Sequence, residues 1–180
     1  VAANAVQTEA CTYTSSNGNG PVFYYDDQSN GGMSTSCVTQ NALCTAGTTN
    51  AVNSSYTYYG SGFGFIVTDN PGGSDAGAPS LASSNGLTWA ASGTLPTSFR
   101  VAIDAFYGPC SSYAGCCYQV SPGATSGTIP WDMFTVDCYD SVPDGGIFNS
   151  ATDGLYQIKF QADAQSLEGS YNYCITSISF

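Results

Sequence analysis

The sequence predicts an all-β, two-sheet antiparallel β-sandwich stapled by disulfides. Three observations carry that expectation. Helical periodicity is nearly absent, because Ala, Leu, Lys and Glu never cluster with apolar residues at three- and four-residue spacing. Tyr, Thr, Val, Phe and Ser dominate instead, broken by Gly, Pro and Asn about every ten residues, which is the rhythm of short strands and turns. Eight cysteines, an even number, are spread along a chain that has no histidine.

The elements follow in order. Candidate strands are Cys11–Ser15, Pro21–Asp26, Tyr56–Tyr59, Gly62–Thr68, Gly86–Ser92, Thr97–Phe106, Asp132–Tyr139, Leu155–Ala162 and Tyr171–Phe180. The clearest is Leu155–Ala162, in which Tyr156, Ile158, Phe160 and Ala162 alternate with Leu155, Gln157, Lys159 and Gln161. A strand buried on one side shows this period of two. Phe99, Val101, Ile103 and Ala105 alternate likewise with Arg100, Ala102, Asp104 and Phe106. Between the strands lie long loops, Gln28–Thr49, Asp69–Asn85, Gly108–Pro130 and Asp140–Gly154, and loops of such length are tied down or functional. Eight or nine strands joined by long crossovers point to a jelly roll. A length of 180 residues suits one domain, 1–180, with no internal repeat and no linker.

Charge narrows the function classes. Two cations, Arg100 and Lys159, stand against 13 acids, for a net charge of −11. Such a chain cannot neutralise a run of phosphates, which excludes nucleic acid as a partner, and it has no basic patch for anionic lipid. No stretch approaches the roughly 18 apolar residues of a membrane span. The start VAANAVQT reads as what remains after a small-residue cleavage site, so a signal peptide is expected to have been removed from a secreted protein.

The cysteines agree with an oxidising compartment. Cys11, Cys37, Cys44, Cys110, Cys116, Cys117, Cys138 and Cys174 contain no C-x-x-C pair, so four disulfides are expected rather than zinc. Adjacent Cys116 and Cys117 point to opposite faces of a strand and so bridge to different partners. Cys37–Cys44 and Cys138–Cys174 are the pairings expected, the first because it closes a short loop. Asn53-Ser54-Ser55 is the single glycosylation triplet.

Read in order, several short stretches resemble a known family. They are Val22-Phe23-Tyr24-Tyr25-Asp26-Asp27, Tyr59-Gly60-Ser61-Gly62-Phe63-Gly64-Phe65, Gly86-Leu87-Thr88-Trp89 and Ser98-Phe99-Arg100-Val101. Trp131-Asp132-Met133-Phe134, Leu155 through Gln161, and Tyr173-Cys174-Ile175-Thr176-Ser177-Ile178-Ser179-Phe180 complete the series. The order resembles galactose-binding-like jelly rolls, found among carbohydrate-binding modules and secreted bacterial proteins. That resemblance implies a jelly-roll fold and a glycan ligand. Members often end in an Ile-Asp-Asp-Ile-like strand whose carboxylates help hold calcium; here the position reads Ile175-Thr176-Ser177-Ile178, so the calcium site is not carried over.

The residues themselves supply a matching chemistry. Arg100 and Asp104 on one strand, and Gln157, Lys159 and Gln161 on another, would form a patch of donors and acceptors for sugar hydroxyls if the strands are neighbours. Equally, the two cations could simply pair with local carboxylates. The chain has 13 Tyr, 9 Phe and 2 Trp, and an exposed ring complements the C–H face of a pyranose. Tyr24, Tyr25, Tyr58, Tyr59, Tyr107, Tyr113, Trp131 and Tyr139 fall at strand ends or in loops, where such platforms lie; Trp89 falls mid-strand and reads as core. Asp26-Asp27 with Asn30, Asp69 with Asp75, and Asp140 with Asp144 place carboxylates near glycines, as a structural Ca²⁺ requires.

Catalysis finds little footing. There is no Gly-x-Ser-x-Gly elbow and no histidine for a hydrolase triad. For glycoside hydrolysis, Asp104 and Asp137 fall within strands and could face each other, with nothing to distinguish them from aspartates with structural partners, and Glu9 and Glu168 lie near the chain ends. The leading expectation is a non-catalytic domain whose partner is a polysaccharide or glycan, bound by a polar strand face edged with aromatic rings. The alternative is a subunit of an extracellular filament, sheath or matrix. Its partners would be copies of itself, with Val1–Thr8 adding a strand to a neighbour.

Overall fold

A computed structural model describes residues 22–27, 33–39, 43–49, 60–67, 81, 83–111, 115–136, 146–163 and 169–180, the side chains of Asp26 and of residues 37–39 excepted. Among the described residues, ten strands form two five-stranded antiparallel sheets. They are β1 (Val22–Asp26), β2 (Thr35–Thr39), β3 (Cys44–Thr49), β4 (Ser61–Ile66), β5 (Gly86–Thr94), β6 (Phe99–Ala105), β7 (Cys116–Gln119), β8 (Ser126–Pro130), β9 (Leu155–Ala162) and β10 (Gly169–Ser179). Sheet A has the order β1-β4-β9-β6-β7 and sheet B the order β2-β3-β10-β5-β8. From β3 to β10 the chain changes sheet at every connection except the β6–β7 hairpin, the winding of a jelly roll. β1 and β2 widen the two sheets at one edge.

The alternation in β6 and β9 places the core. Phe99, Val101 and Ile103 of β6 lie opposite Ala162, Phe160 and Ile158 of β9, and all six are buried. Directly opposed residues share a face, so these side chains point together into the sandwich. Aromatic rings interdigitate across it, Phe99 of sheet A meeting Trp89 at 5.5 Å and Tyr173 edge-on at 5.2 Å, and within sheet A Phe63 stacks on its neighbour Phe160 at 5.6 Å. Such ring pairs contribute about 0.5–1.5 kcal/mol each beyond their burial. Hydroxyls stitch the sheets together where apolar contact gives out. Tyr173 donates to the Phe160 carbonyl, and Tyr171 donates to the Thr35 carbonyl and pairs with Ser61 Oγ at 2.8 Å. Burial, with neighbouring Tyr171, holds the Tyr173 phenol well above its ordinary pKa, so it stays a donor.

Several expectations need correction. Gln28–Thr49 and Gly108–Pro130 are not simply loops, for β2 and β3 lie in the first and β7 and β8 in the second. The expected strand Asp132–Tyr139 instead begins as a 3-10 turn, Trp131–Met133, followed by isolated bridges from Thr135 to Cys117 and Ile147. In β9 a bulge beside Asp104 and Ala105 pairs Ala105 with Leu155, which turns Leu155 inward in place of Tyr156. A second bulge at Thr176 turns both Ile175 and Ile178 toward the core.

Disulfides join Cys44 to Cys174 and Cys110 to Cys116. The first overturns both expected pairings, Cys37–Cys44 and Cys138–Cys174, because Cys44 and Cys174 stand directly opposite on adjacent strands β3 and β10. Sequence distance concealed that neighbourhood. Cys116 and Cys117 do bridge to different partners, Cys117 being disulfide-bonded as well. Cys11, Cys138, the strands Cys11–Ser15 and Tyr56–Tyr59, Asn53 and Val1–Thr8 lie outside the described residues. Among the described residues, no helix is long and apolar enough to cross a membrane.

Candidate functional site

The side of sheet A turned away from the core gathers the polar residues singled out in the sequence. β6 and β9 are neighbours, with Arg100 opposite Gln161, Ala102 opposite Lys159 and Asp104 opposite Gln157. Arg100, Asp104, Gln157, Lys159 and Gln161 therefore share one face. β7 adds Gln119, opposite Arg100, and β1 adds Phe23 and Tyr25 across β4.

Glycines explain how the rings reach over the sheet. Gly62 and Gly64 of β4 lie opposite Tyr25 and Phe23 on one side and Gln161 and Lys159 on the other. A methyl on Gly64 would lie 2.6 Å from Phe23 Cζ and 2.9 Å from Lys159 Cγ; one on Gly62 would lie 2.9 Å from the Tyr25 hydroxyl. The missing side chains thus form a floor on which both rings lean toward β9, and Tyr25 Oη donates to Gln161 Oε1 at 3.5 Å.

Asp104 organises one half of the face. Its Oδ1 accepts from Lys159 Nζ at 2.7 Å and its Oδ2 accepts from Gln157 Nε2. Lys159 retains two further N–H donors and Gln157 its carbonyl acceptor, neither engaged among the described residues. Asp163 organises the other half. It pairs with Arg100 Nε at 3.0 Å and accepts from Ser98 Oγ at 2.7 Å and Gln161 Nε2 at 3.1 Å. Burial is the largest influence on its carboxyl and outweighs Arg100 and both hydrogen bonds, raising its pKa from 3.8 to about 6. Arg100 Nε also donates to Gln119 Oε1 at 2.9 Å, and Gln119 Nε2 donates to the Phe99 carbonyl. Both cations thus face a carboxylate, and the face is close to neutral above pH 6.

Other candidates lie elsewhere. Gln161 is on the face but only 2% exposed, so it props Tyr25 and Asp163 from beneath. Tyr24, opposite Phe63, points to the other side of the sheet from Tyr25 and is 47% exposed. Trp131 is a correction: at 5% exposure it is packed against Phe134 and Phe148 and is no open platform. It follows Pro130 in an apolar turn, and an indole this large joins the core wherever one is within reach. Trp89 is core, as expected. Tyr107 is exposed, whereas Tyr58, Tyr59, Tyr113 and Tyr139 lie outside the described residues. Phe23, Gln119 and Asp163 are additions. Phe23 and Gln119 were legible only once the strand order was known, and Asp163 ends the alternation of β9 one residue beyond it.

Among the described residues away from this face, Asp27 and Asp153 have structural partners. Asp27 is fully buried and accepts from Ser34 N, Ser34 Oγ and Gly60 N at 3.0–3.1 Å, tying the end of β1 to the starts of β2 and β4. Asn30, Asp69, Asp75, Asp137, Asp140, Asp144, Glu9 and Glu168 lie outside the described residues, among which no three His, Cys, Asp or Glu gather as metal ligands. No protein-family model and no curated protein matches the chain.

Proposed function

We propose that this is an extracellular carbohydrate-binding domain that takes a neutral glycan on the outer face of sheet A. One observation carries the reading: Gln157 and Lys159, two residues apart on β9, are both anchored by Asp104 and present an acceptor beside donors. Adjacent sugar hydroxyls offer the complementary pattern, since each both donates and accepts. Fixing the side chains in advance reduces the ordering cost of binding. Phe23 and Tyr25 supply an apolar wall for the C–H face of a pyranose. Five strands at about 4.8 Å spacing give roughly 19 Å of face, room for a short oligosaccharide. The resemblance to galactose-binding-like jelly rolls points the same way, and the disulfides suit an oxidising environment.

The test is calorimetric titration with neutral oligosaccharides. Gln157→Ala should weaken binding about 10-fold, the value of one hydrogen bond to a ligand of roughly 1.4 kcal/mol, with Tm close to wild type. Equal affinity in this variant and in Tyr25→Ala removes the face from the site.

A second reading, a subunit of an extracellular assembly, is favoured by sheet B. None of its five strands contains a charged residue. Copies of a chain with net charge −11 would repel least across that surface. Light scattering separates the two: a monomer near 18.6 kDa speaks against assembly, and a large reproducible polymer speaks for it.

A further inference from the structure

Sheet B carries a cleft of its own at the end where β5, β8 and β10 meet. It is open, about 460 Å³ in volume, and lined by Asn85, Thr88, Thr128, Ser179 and Phe180 together with the Ser83–Gly86 turn. Its construction is specific. Ser84 Oγ accepts from Gly86 N at 3.3 Å and donates to the Gly86 carbonyl at 3.1 Å, which fixes the turn before β5. Trp131 Nε1 donates to the same oxygen at 3.3 Å, so the buried indole holds the turn from beneath. Thr88 and Thr128, opposite each other on β5 and β8, pair through their hydroxyls at 2.8 Å. Phe180 forms the remaining wall: 39% exposed, its ring stands edge-on to Trp131 at 6.4 Å.

We propose that this cleft is a second carbohydrate site, specific for a neutral pyranoside, with Phe180 as its stacking platform and Asn85, Thr88 and Thr128 as its hydroxyl partners. It deepens the reading of the chain as a carbohydrate-binding domain and rests on it, while using no residue of the sheet A face. The ligand class follows from the lining. An open cleft with one aromatic wall and several hydroxyl and amide groups offers a pyranose both an apolar face and exchangeable hydrogen bonds. Among the described residues no cation or carboxylate side chain lines it, and both cations of the chain stand on sheet A, each paired with an acid. An anionic sugar would find no counter-charge and would meet the repulsion of a chain carrying net charge −11. Trp131 is a positioning residue here: it touches Ser84 and Phe180 and lies below the cleft.

The experiment is an amide chemical-shift titration of the folded protein with methyl glycosides of glucose, galactose, mannose and N-acetylglucosamine, and with methyl glucuronide as the anionic control. Shifts should cluster at Asn85, Thr88, Thr128 and Ser179, with methyl glucuronide at least 5-fold weaker than the best neutral sugar. Phe180→Ala should abolish these shifts, Phe180→Trp should restore them, and Gln157→Ala should leave them unchanged. If shifts appear only on the sheet A face and Phe180→Ala titrates like wild type, the cleft is not a site and the sheet A reading stands. If the cleft shifts as described while sheet A stays silent toward every glycan, the sheet A face fails and the cleft holds. Tighter binding of methyl glucuronide than of any neutral sugar overturns the assignment of ligand class.

Discussion

Asp163 shows burial and ion pairing pulling one side chain in opposite directions. Arg100 and two hydrogen bonds favour its charged form, yet burial prevails and its pKa rises from 3.8 to about 6. Between those values the folded chain binds a proton that the unfolded chain does not, so stability rises as pH falls through 6 and levels off near 4. Read the other way, that contribution is fully present below the unfolded pKa and is lost as pH rises through the folded one. Going from pH 7 to pH 4.5, Asp163 should contribute about 2 kcal/mol of added stability. Denaturant unfolding at the two pH values checks this: the difference should shrink by about that amount in Asp163→Asn, and an unchanged difference refutes it. Gly64 makes a second prediction at the same scale. A methyl there meets Phe23 and Lys159, so Gly64→Ala should cost about 1–3 kcal/mol, the range for overpacking. A Tm within one degree of wild type would contradict the glycine floor.

At the scale of the element, legibility followed burial. β6 and β9 were readable because one face of each is packed and the other is not, which writes a period of two into the sequence. β2 and β3 were not: Thr-Ser-Cys-Val-Thr and Cys-Thr-Ala-Gly-Thr-Thr contain no alternation. Their inward positions hold hydroxyls and a glycine, Ser36, Thr45 and Gly47, that accommodate the Tyr171 ring and the hydrogen bonds around it. β7 and β8, with four and five residues, are too short for a pattern. The disulfides belong to this scale too. Cys44–Cys174 closes a separation of 130 residues and Cys110–Cys116 one of 6. Loop entropy gives about 5 kcal/mol for the first and about 2 for the second. Replacing Cys44 and Cys174 by Ser should therefore cost more in urea unfolding than replacing Cys110 and Cys116, and the reverse order would contradict a denatured-state origin.

For the whole molecule, the division of charge between the sheets is the organising fact. Arg100, Lys159 and Asp104 lie on sheet A, with Asp163 just beyond β9, whereas the strands of sheet B are uncharged. The sequence placed both cations on polar strand faces and left open whether they recognise sugar or only pair with acids. The geometry shows the pairing: Lys159 meets Asp104 and Arg100 meets Asp163, and Asp104 also accepts from Gln157. Aromatic positions were harder to read. Tyr25 was singled out and shares this side of the sheet with Phe23, which was not, and Trp131 was expected on the surface but is buried, because exposure depends on which strands are neighbours and no local pattern records that. We propose that this face binds neutral glycans, and affinity electrophoresis is the first experiment to run. The native protein, beside Gln157→Ala, would be run through gels containing neutral polysaccharides and, for contrast, polyuronates. A glycan-binding face retards the native protein in at least one neutral gel, retards Gln157→Ala less, and gives no retardation in polyuronate. Migration unchanged in every neutral gel, or retardation by polyuronate alone, would contradict it.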